Sequence, residues 1–302
     1  MGLPEGLGCS TISFQHLSLH DALQDIRTLG VTEIDLGALP GVCDHVPFEL
    51  DDHAIDVIAA TVADAGIRVR SVNGDVGDLN VPALDPNARQ AHLERLLRLT
   101  AAVDAEALVL PCGALDRTPA ATLDVDIARV AHELSIAATL AQQHGTRLWV
   151  ESIHLLRLCW NAERAALLHQ RLPDSVGAVL DVAHVIGAGD RVAEVVEAWG
   201  TRTAHVHLRD AVRGDFARPI GEGDVDFAGA FAALAASGYR GGFALELPAR
   251  AYADDATVTS TTAFRAERLA AIDAAVRRVA PMLEAAGLAI CRSDTRTPSS
   301  TE

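Results

Sequence analysis

Short apolar runs alternate with amphipathic stretches eight times along the chain. The apolar runs fall at 9–14, 33–36, 68–73, 107–111, 147–151, 176–181, 203–208 and 242–246, and are rich in Val, Leu and Ile. Runs of this length, apolar on both alternating sets of positions, predict strands of a parallel sheet covered on both faces. The stretches between them carry apolar residues at three- and four-residue spacing, which predicts helices near 19–29, 52–65, 86–103, 122–144, 161–171, 191–199, 227–237 and 261–286. Gly30, Gly66, Gly145, Gly200 and Gly238 precede strands and fit helix C-caps. Eight β/α units imply closure, so the expected architecture is an α/β fold of the (β/α)8 barrel type. No linker composition interrupts residues 1–288, which are read as one domain, and the polar segment 289–302, RSDTRTPSSTE at its end, is expected to be disordered.

Composition narrows the class. The 302-residue chain is 49% hydrophobic, enough for one large core, and only 4% aromatic, so Ala, Leu and Val must fill it. A formal charge of -16 disfavours nucleic-acid and anionic-membrane partners. No apolar run is long enough to span a bilayer and no secretory leader is visible. Cys9, Cys43, Cys112, Cys159 and Cys291 are odd in number and dispersed, which suits a reducing compartment, and a cytoplasmic location is expected.

Four strand ends in the second half carry the candidate chemistry. Glu151 ends RLWVE, Asp181 ends AVLD, His207 lies in AHVHLRD, and Glu246 ends GFALE. In a parallel barrel the C-terminal strand ends share one face, so three carboxylates and an imidazole would converge there. Singly, an acid after a strand reads as a helix cap and a strand histidine as a hydrogen-bonded core residue. At matching positions of four units they read instead as an oxygen-rich site for a divalent ion, because buried acids need a cation. His205 and His207, two apart, share one face of their strand, directed to the barrel interior. His154 follows Glu151 in the same loop, and His45 after the second strand either closes over a substrate or is an ordinary loop histidine. The loop GEGDVDF at 221–227 offers a lining for the site, with Asp226 read as the cap of the next helix.

With these residues in place, the chain resembles the xylose-isomerase-like superfamily of sugar isomerases and epimerases, which are TIM barrels. The resemblance spans about residues 8–288 and is most specific over 148–248, in the Glu after strand five, the Asp-x-x-His of Asp181 and His184, the His-x-His of His205 and His207, and the Glu after strand eight. It implies that Glu151, Asp181, His207 and Glu246 hold Mn²⁺, with Mg²⁺, Co²⁺ or Zn²⁺ as alternatives. It also implies that His184 and Arg213 contact substrate oxygens, with His154, His205 and His45 as further substrate-side candidates. Glu151 and Glu246 would be the acid/base pair of a proton abstraction beside a carbonyl, through an enediolate. One departure stands out. The ketose epimerases of this superfamily carry a further acid shortly after the strand-five ligand, where this chain has Leu155-Leu156-Arg157-Leu158. A lyase on a keto-inositol or an oxidised glycoside is therefore the main alternative, and an abasic-site endonuclease, which needs a basic groove, the minor one. The expected partner is a small sugar or cyclitol, with a homo-oligomer possible.

Overall fold

Parallel pairing closes eight strands into a ring. The computed structural model describes residues 6–248 and 262–288. In ring order the strands are β1 (Leu7–Ser10), β2 (Glu33–Ala38), β3 (Arg68–Gly74), β4 (Ala107–Pro111), β5 (Arg147–Glu151), β6 (Gly177–Asp181), β7 (Thr203–Leu208) and β10 (Gly242–Leu245). Closure is made by β10 against β1, with Leu7 opposite Phe243 and Cys9 opposite Leu245. Strands such as ALVLP in β4 are buried at every position, as expected when side chains on one face fill the barrel and those on the other meet the helices.

The outer helices are α1 (Leu19–Thr28), α2 (Asp52–Ala65), α3 (Pro86–Ala102), α4 (Leu123–Gln143), α5 (Ala162–His169), α6 (Val182–Ala188), α7 (Val192–Trp199), α8 (Phe227–Ala236) and α9 (Thr262–Ala285). Local chemistry fixes their starts. Ser18, Asp51, Asp85, Thr122, Asn161 and Asp226 each accept a backbone N–H of the first turn. Gly66 ends α2 at a φ of 61°, a left-handed conformation costly for any residue with a Cβ.

Three local departures from the sequence expectation matter for the site. The first strand is shorter than 9–14: residues Thr11–Phe14 form a 3-10 turn, capped by the Ser10 hydroxyl. A short helix, α6, begins directly at Asp181, ten residues before the expected helix at 191. The polar loop after β7 contains an antiparallel hairpin, β8 (Asp210–Val212) with β9 (Asp215–Arg218). The Asp210 carboxylate accepts the N–H groups of Gly221, Gly223 and Val225, and so ties the GEGDVDF loop back to the hairpin. No described helix is long and apolar enough to cross a membrane. Cys9, Cys43, Cys112 and Cys159 are buried free thiols. Cys291 and the tail at 289–302 lie outside the described residues.

Candidate metal centre

Because all eight barrel strands run the same way, their carboxyl ends gather four of the predicted residues at one mouth. One ligand atom from each of Glu151, Asp181, His207 and Glu246 lies within 4.8 Å of the others, and all four residues are buried. Ligands bound at 2.0–2.2 Å to one ion can be separated by up to about 4.4 Å, so the cluster has nearly the span of a single coordination sphere.

Each member is placed by its strand and by a specific anchor. Asp181 uses its two oxygens differently. Oδ1 caps α6 by accepting the N–H groups of Ala183 and His184, at 2.8 and 3.1 Å, while Oδ2 faces the cluster. The cap and ligand readings of this acid are thus both realised, on separate atoms. Glu246 follows β10, and its neighbours are clamped by the buried Ser13: the Ser13 hydroxyl accepts the Leu247 N–H at 2.9 Å and donates to the Leu245 carbonyl at 3.4 Å. His207 turns Nδ1 towards Glu246 Oε2 at 2.7 Å and Glu151 Oε1 at 3.7 Å, with Nε2 3.3 Å from Asp35 Oδ2. Asp35 is itself held by the Ser71 hydroxyl at 2.8 Å and by His205 Nε2 at 2.7 Å. A carboxylate behind a ligating imidazole fixes ring orientation and raises its basicity.

Whether the residues fit a metal can be judged from their unused atoms. Glu151 Oε1, Asp181 Oδ2, His207 Nδ1 and Glu246 Oε2 are buried side-chain atoms without a hydrogen-bond partner. They lie in ion-pair contact with charged neighbours, but not in aligned hydrogen bonds. Such atoms are costly to bury unless something binds them. Arg209, which the sequence reading did not single out, also enters the cluster, with Nε 2.9 Å from Asp181 Oδ2 and Nη2 2.6 Å from Glu246 Oε2. Three carboxyl groups against one guanidinium make the cluster rich in acidic oxygen, which a divalent ion would suit. The residues fit a hard divalent cation.

The electrostatics follow from burial and these pairings. Burial opposes ionisation of Glu246, but the Arg209 guanidinium and the His207 ring outweigh it and hold the carboxyl well below the usual range. Burial raises Asp181, with Arg209 opposing. His207 is driven up despite burial by Glu246, Asp35 and Glu151. His184 goes the other way, pushed well down by burial and then by Arg209. Its Nδ1 accepts the Leu155 N–H at 3.3 Å, which assigns the ring proton to Nε2, 4.0 Å from Glu151 Oε1 and 3.9 Å from Asp181 Oδ2.

A cavity of about 870 Å³ opens above the cluster, and Glu151, Glu246, His154 and Arg209 reach its surface. His154 is the one residue of the expected substrate-side group that does so. His184 lies beneath Phe216, ring centroids 4.4 Å apart, and is fully buried. His205 points into the barrel, stacked on Trp149 and bonded to Asp35. His45 spends its ring nitrogens on the Cys43 thiol and the Leu17 carbonyl. Arg213 packs its guanidinium beside Gly189 at the end of α6, away from the cavity lining. The guanidinium at the centre is Arg209 instead, brought inward because it lies two positions after His207, just past the end of β7. Asp35, Ser13 and Arg209 are the residues around the cluster that sequence reasoning misses. The only signal was an acid inside the apolar run EIDL and a base inside HVHLRD.

The family model described as xylose isomerase-like TIM barrel matches residues 23–268. No curated protein matches by sequence. Among solved structures, 3-keto-D-glucoside 4-epimerase YcjR from E. coli superposes with a TM-score of 0.67 at 20% identity, over 90% of this chain and 99% of that one. D-psicose 3-epimerase from Clostridium cellulolyticum H10, with D-tagatose, gives 0.69 at 18%, over 91% and 99%. The IOLI protein with a binding zinc atom gives 0.69 at 16%, over 95% and 100%. At these identities the likeness is one of fold.

Proposed function

The chain belongs to the xylose isomerase-like TIM barrel family, and from that premise we propose that it is a divalent-metal-dependent isomerase or epimerase of a sugar-like keto substrate. The observation that carries the reading is the set of four buried ligand atoms on Glu151, Asp181, His207 and Glu246, within one coordination span of each other and beneath a cavity. Those four residues would hold the ion, Mn²⁺ being the first choice and Mg²⁺, Co²⁺ or Zn²⁺ alternatives. When bound, it supplies Lewis-acid polarisation of a carbonyl and its neighbouring hydroxyl.

The chain's own groups do the rest. Glu246, held ionised by Arg209 and His207, is the base that removes the proton beside the carbonyl and leaves an enediolate. Glu151, whose Oε1 lies across the cluster, enters the step as the carboxylic acid and returns its proton, leaving Glu246 protonated and Glu151 ionised until exchange with solvent resets the pair. Return to the other face of the same carbon gives epimerisation; return to the neighbouring carbon gives isomerisation. His154, kept neutral by burial, orients a substrate hydroxyl from the cavity wall. Arg209, held cationic by Glu246 and Asp181 in spite of burial, stabilises negative charge that develops on the substrate.

A second reading, elimination of a β-substituent, is favoured by the wall after β5. Leu156 lines the cavity there, and Arg157 is committed to Asp75 at 2.7 Å and to the Gly113 carbonyl at 2.7 Å, so neither supplies a proton-transferring acid. Incubation of keto-sugars, keto-inositols and oxidised glycosides in D₂O, with and without Mn²⁺, tests both. The proposal expects Mn²⁺-dependent deuterium incorporation beside a carbonyl, read by NMR. Enone absorbance in the ultraviolet would mark elimination, and no exchange with any substrate would refute proton abstraction.

A further inference from the structure

Period-two alternation arranges inward side chains in columns along the barrel. On β5, Arg147, Trp149 and Glu151 share one face, and on β7 so do Thr203, His205 and His207. Glu151 and His207 reach the metal cluster, and Trp149 stacks on His205 below it. Arg147 and Thr203 therefore sit at the opposite, amino end. A second cavity, of about 500 Å³, opens there, and both residues line it together with Arg68, Arg70, Glu106 and Arg240. Active sites of this architecture lie at the carboxyl face. Val109, Trp149, Val179 and His205, all buried, fill the axis between the two cavities, so this one is separate from the metal centre.

Its charge runs against that of the molecule. The chain carries a formal charge of -16, yet four guanidinium groups and one carboxylate line this cavity. Arg68 and Arg70 are matched by Glu33 and Glu106 in ion pairs. Arg147 and Arg240 are not matched by any carboxylate among the described residues, and Arg240 donates only to the Tyr239 carbonyl, at 2.8 Å. Two cations are thus left uncancelled on the wall. Thr203 points to a ligand independently. It is 6% exposed, and its Oγ1 is a buried atom without a hydrogen-bond partner. Such an atom is costly to bury unless something binds it.

The donor set decides the ligand chemistry. Guanidinium groups donate and never accept, and a threonine hydroxyl can donate as well. Two unmatched arginines and a hydroxyl suit a group with several acceptor oxygens and about two negative charges, which is phosphate. A single carboxylate would cancel only one of the two cations. The volume falls within the about 300–1,000 Å³ that holds small organic ligands, so the phosphate can be free or carried on a small molecule. We propose that the amino end of the barrel binds a phosphate group, held by Arg147, Arg240 and the Thr203 hydroxyl, at a site distinct from the metal centre.

Calorimetry on the full chain tests this, with inorganic phosphate and ribose 5-phosphate as probes at a constant ionic strength of about 0.15 M. The proposal expects saturable one-site binding of at least one probe. The double variant Arg147→Ala, Arg240→Ala should weaken it at least tenfold. Thr203→Val, which removes the hydroxyl and keeps the shape, should weaken it at least threefold. Both arginines are exposed, so the double variant should melt like the parent in phosphate-free buffer. A charge-matched control, Arg191→Ala, Arg277→Ala, alters two side chains that are each 78% exposed and should bind like the parent. Tighter binding of ribose 5-phosphate assigns the site to a phosphorylated metabolite, and equal or tighter binding of inorganic phosphate assigns it to the free anion; each supports the proposal. No saturable binding of either probe, an affinity unmoved in either site variant, or an equal loss in the charge-matched control would overturn it.

Discussion

Charged side chains cluster at both ends of this barrel, with Glu33 and Arg70 buried at one and the whole set buried at the other, and the two sets are built differently. At the amino end, Glu33 and Glu106 interlock with Arg68 and Arg70. Glu33 takes a bidentate contact from Arg70 and a further one from Arg68, and Arg70 reaches Glu106 at 3.0 Å. At the carboxyl end, Glu151, Asp181, Glu246, His207 and Arg209 crowd together. No buried side-chain atom of Glu33 or Arg70 lacks a hydrogen bond, whereas every residue of the second set has at least one buried atom that does. The first set is self-satisfied and serves the fold. The second keeps unused bonding capacity of the kind a bound cation would fill. Charge burial alone, then, does not separate the two sets; the convergence of several unused ligand atoms does.

The sharpest way to break the comparison is at its open end. Glu246→Gln removes the proposed base while keeping an amide oxygen near the cluster. We expect exchange into substrate to fall by about 10²–10⁴-fold, with metal content by elemental analysis largely retained. A fully active variant would remove Glu246 from the chemistry. At the closed end, Glu33→Gln strands the Arg70 guanidinium in a buried site and should cost about 3–5 kcal/mol of stability. Denaturant midpoints read that loss, and metal content should stay as in the parent. A change below about 1 kcal/mol would mean that the amino end is solvated and that the two ends differ little in how they hold charge. The smallest effect is expected one layer beneath the cluster. Asp35→Asn leaves all four ligand residues in place but loosens the hold on His207. Metal affinity should drop by about 10–100-fold, measured by competition with a chelator. An unchanged affinity would show that the barrel interior, not Asp35, orients the ring.

The architecture was legible because its signals are local and repeated. Apolar runs of strand length, caps such as Asp51 and Asp226, and glycines such as Gly66 and Gly238 each constrain a few neighbouring residues. Glu151, Asp181 and Glu246 were readable for a related reason: an acid ending an apolar strand has one predictable address in a parallel barrel. What stayed hidden depends on contacts across the barrel. Ser13 matters because it grips residues 245 and 247, more than two hundred positions away. Asp35 matters because β2 places it opposite His205 and His207 of β7. The resemblance points to Arg213 as the cation on substrate oxygens, but the hairpin carries it to Gly189, while Arg209, inside an apolar context, turns inward. The short helix α6 escaped because its start signal, Asp181, was also the strand's last residue.

The packing beneath the cluster has one more consequence. Trp149, Val109, Val179, His205 and Asp35 fill the barrel axis and are almost wholly inaccessible. The reaction chamber is therefore a cul-de-sac: whatever enters must back out through the same doorway. Turnover would then be paced by how readily product clears that entrance, and a visitor too long for the chamber would still be accommodated, with its far end left trailing outside.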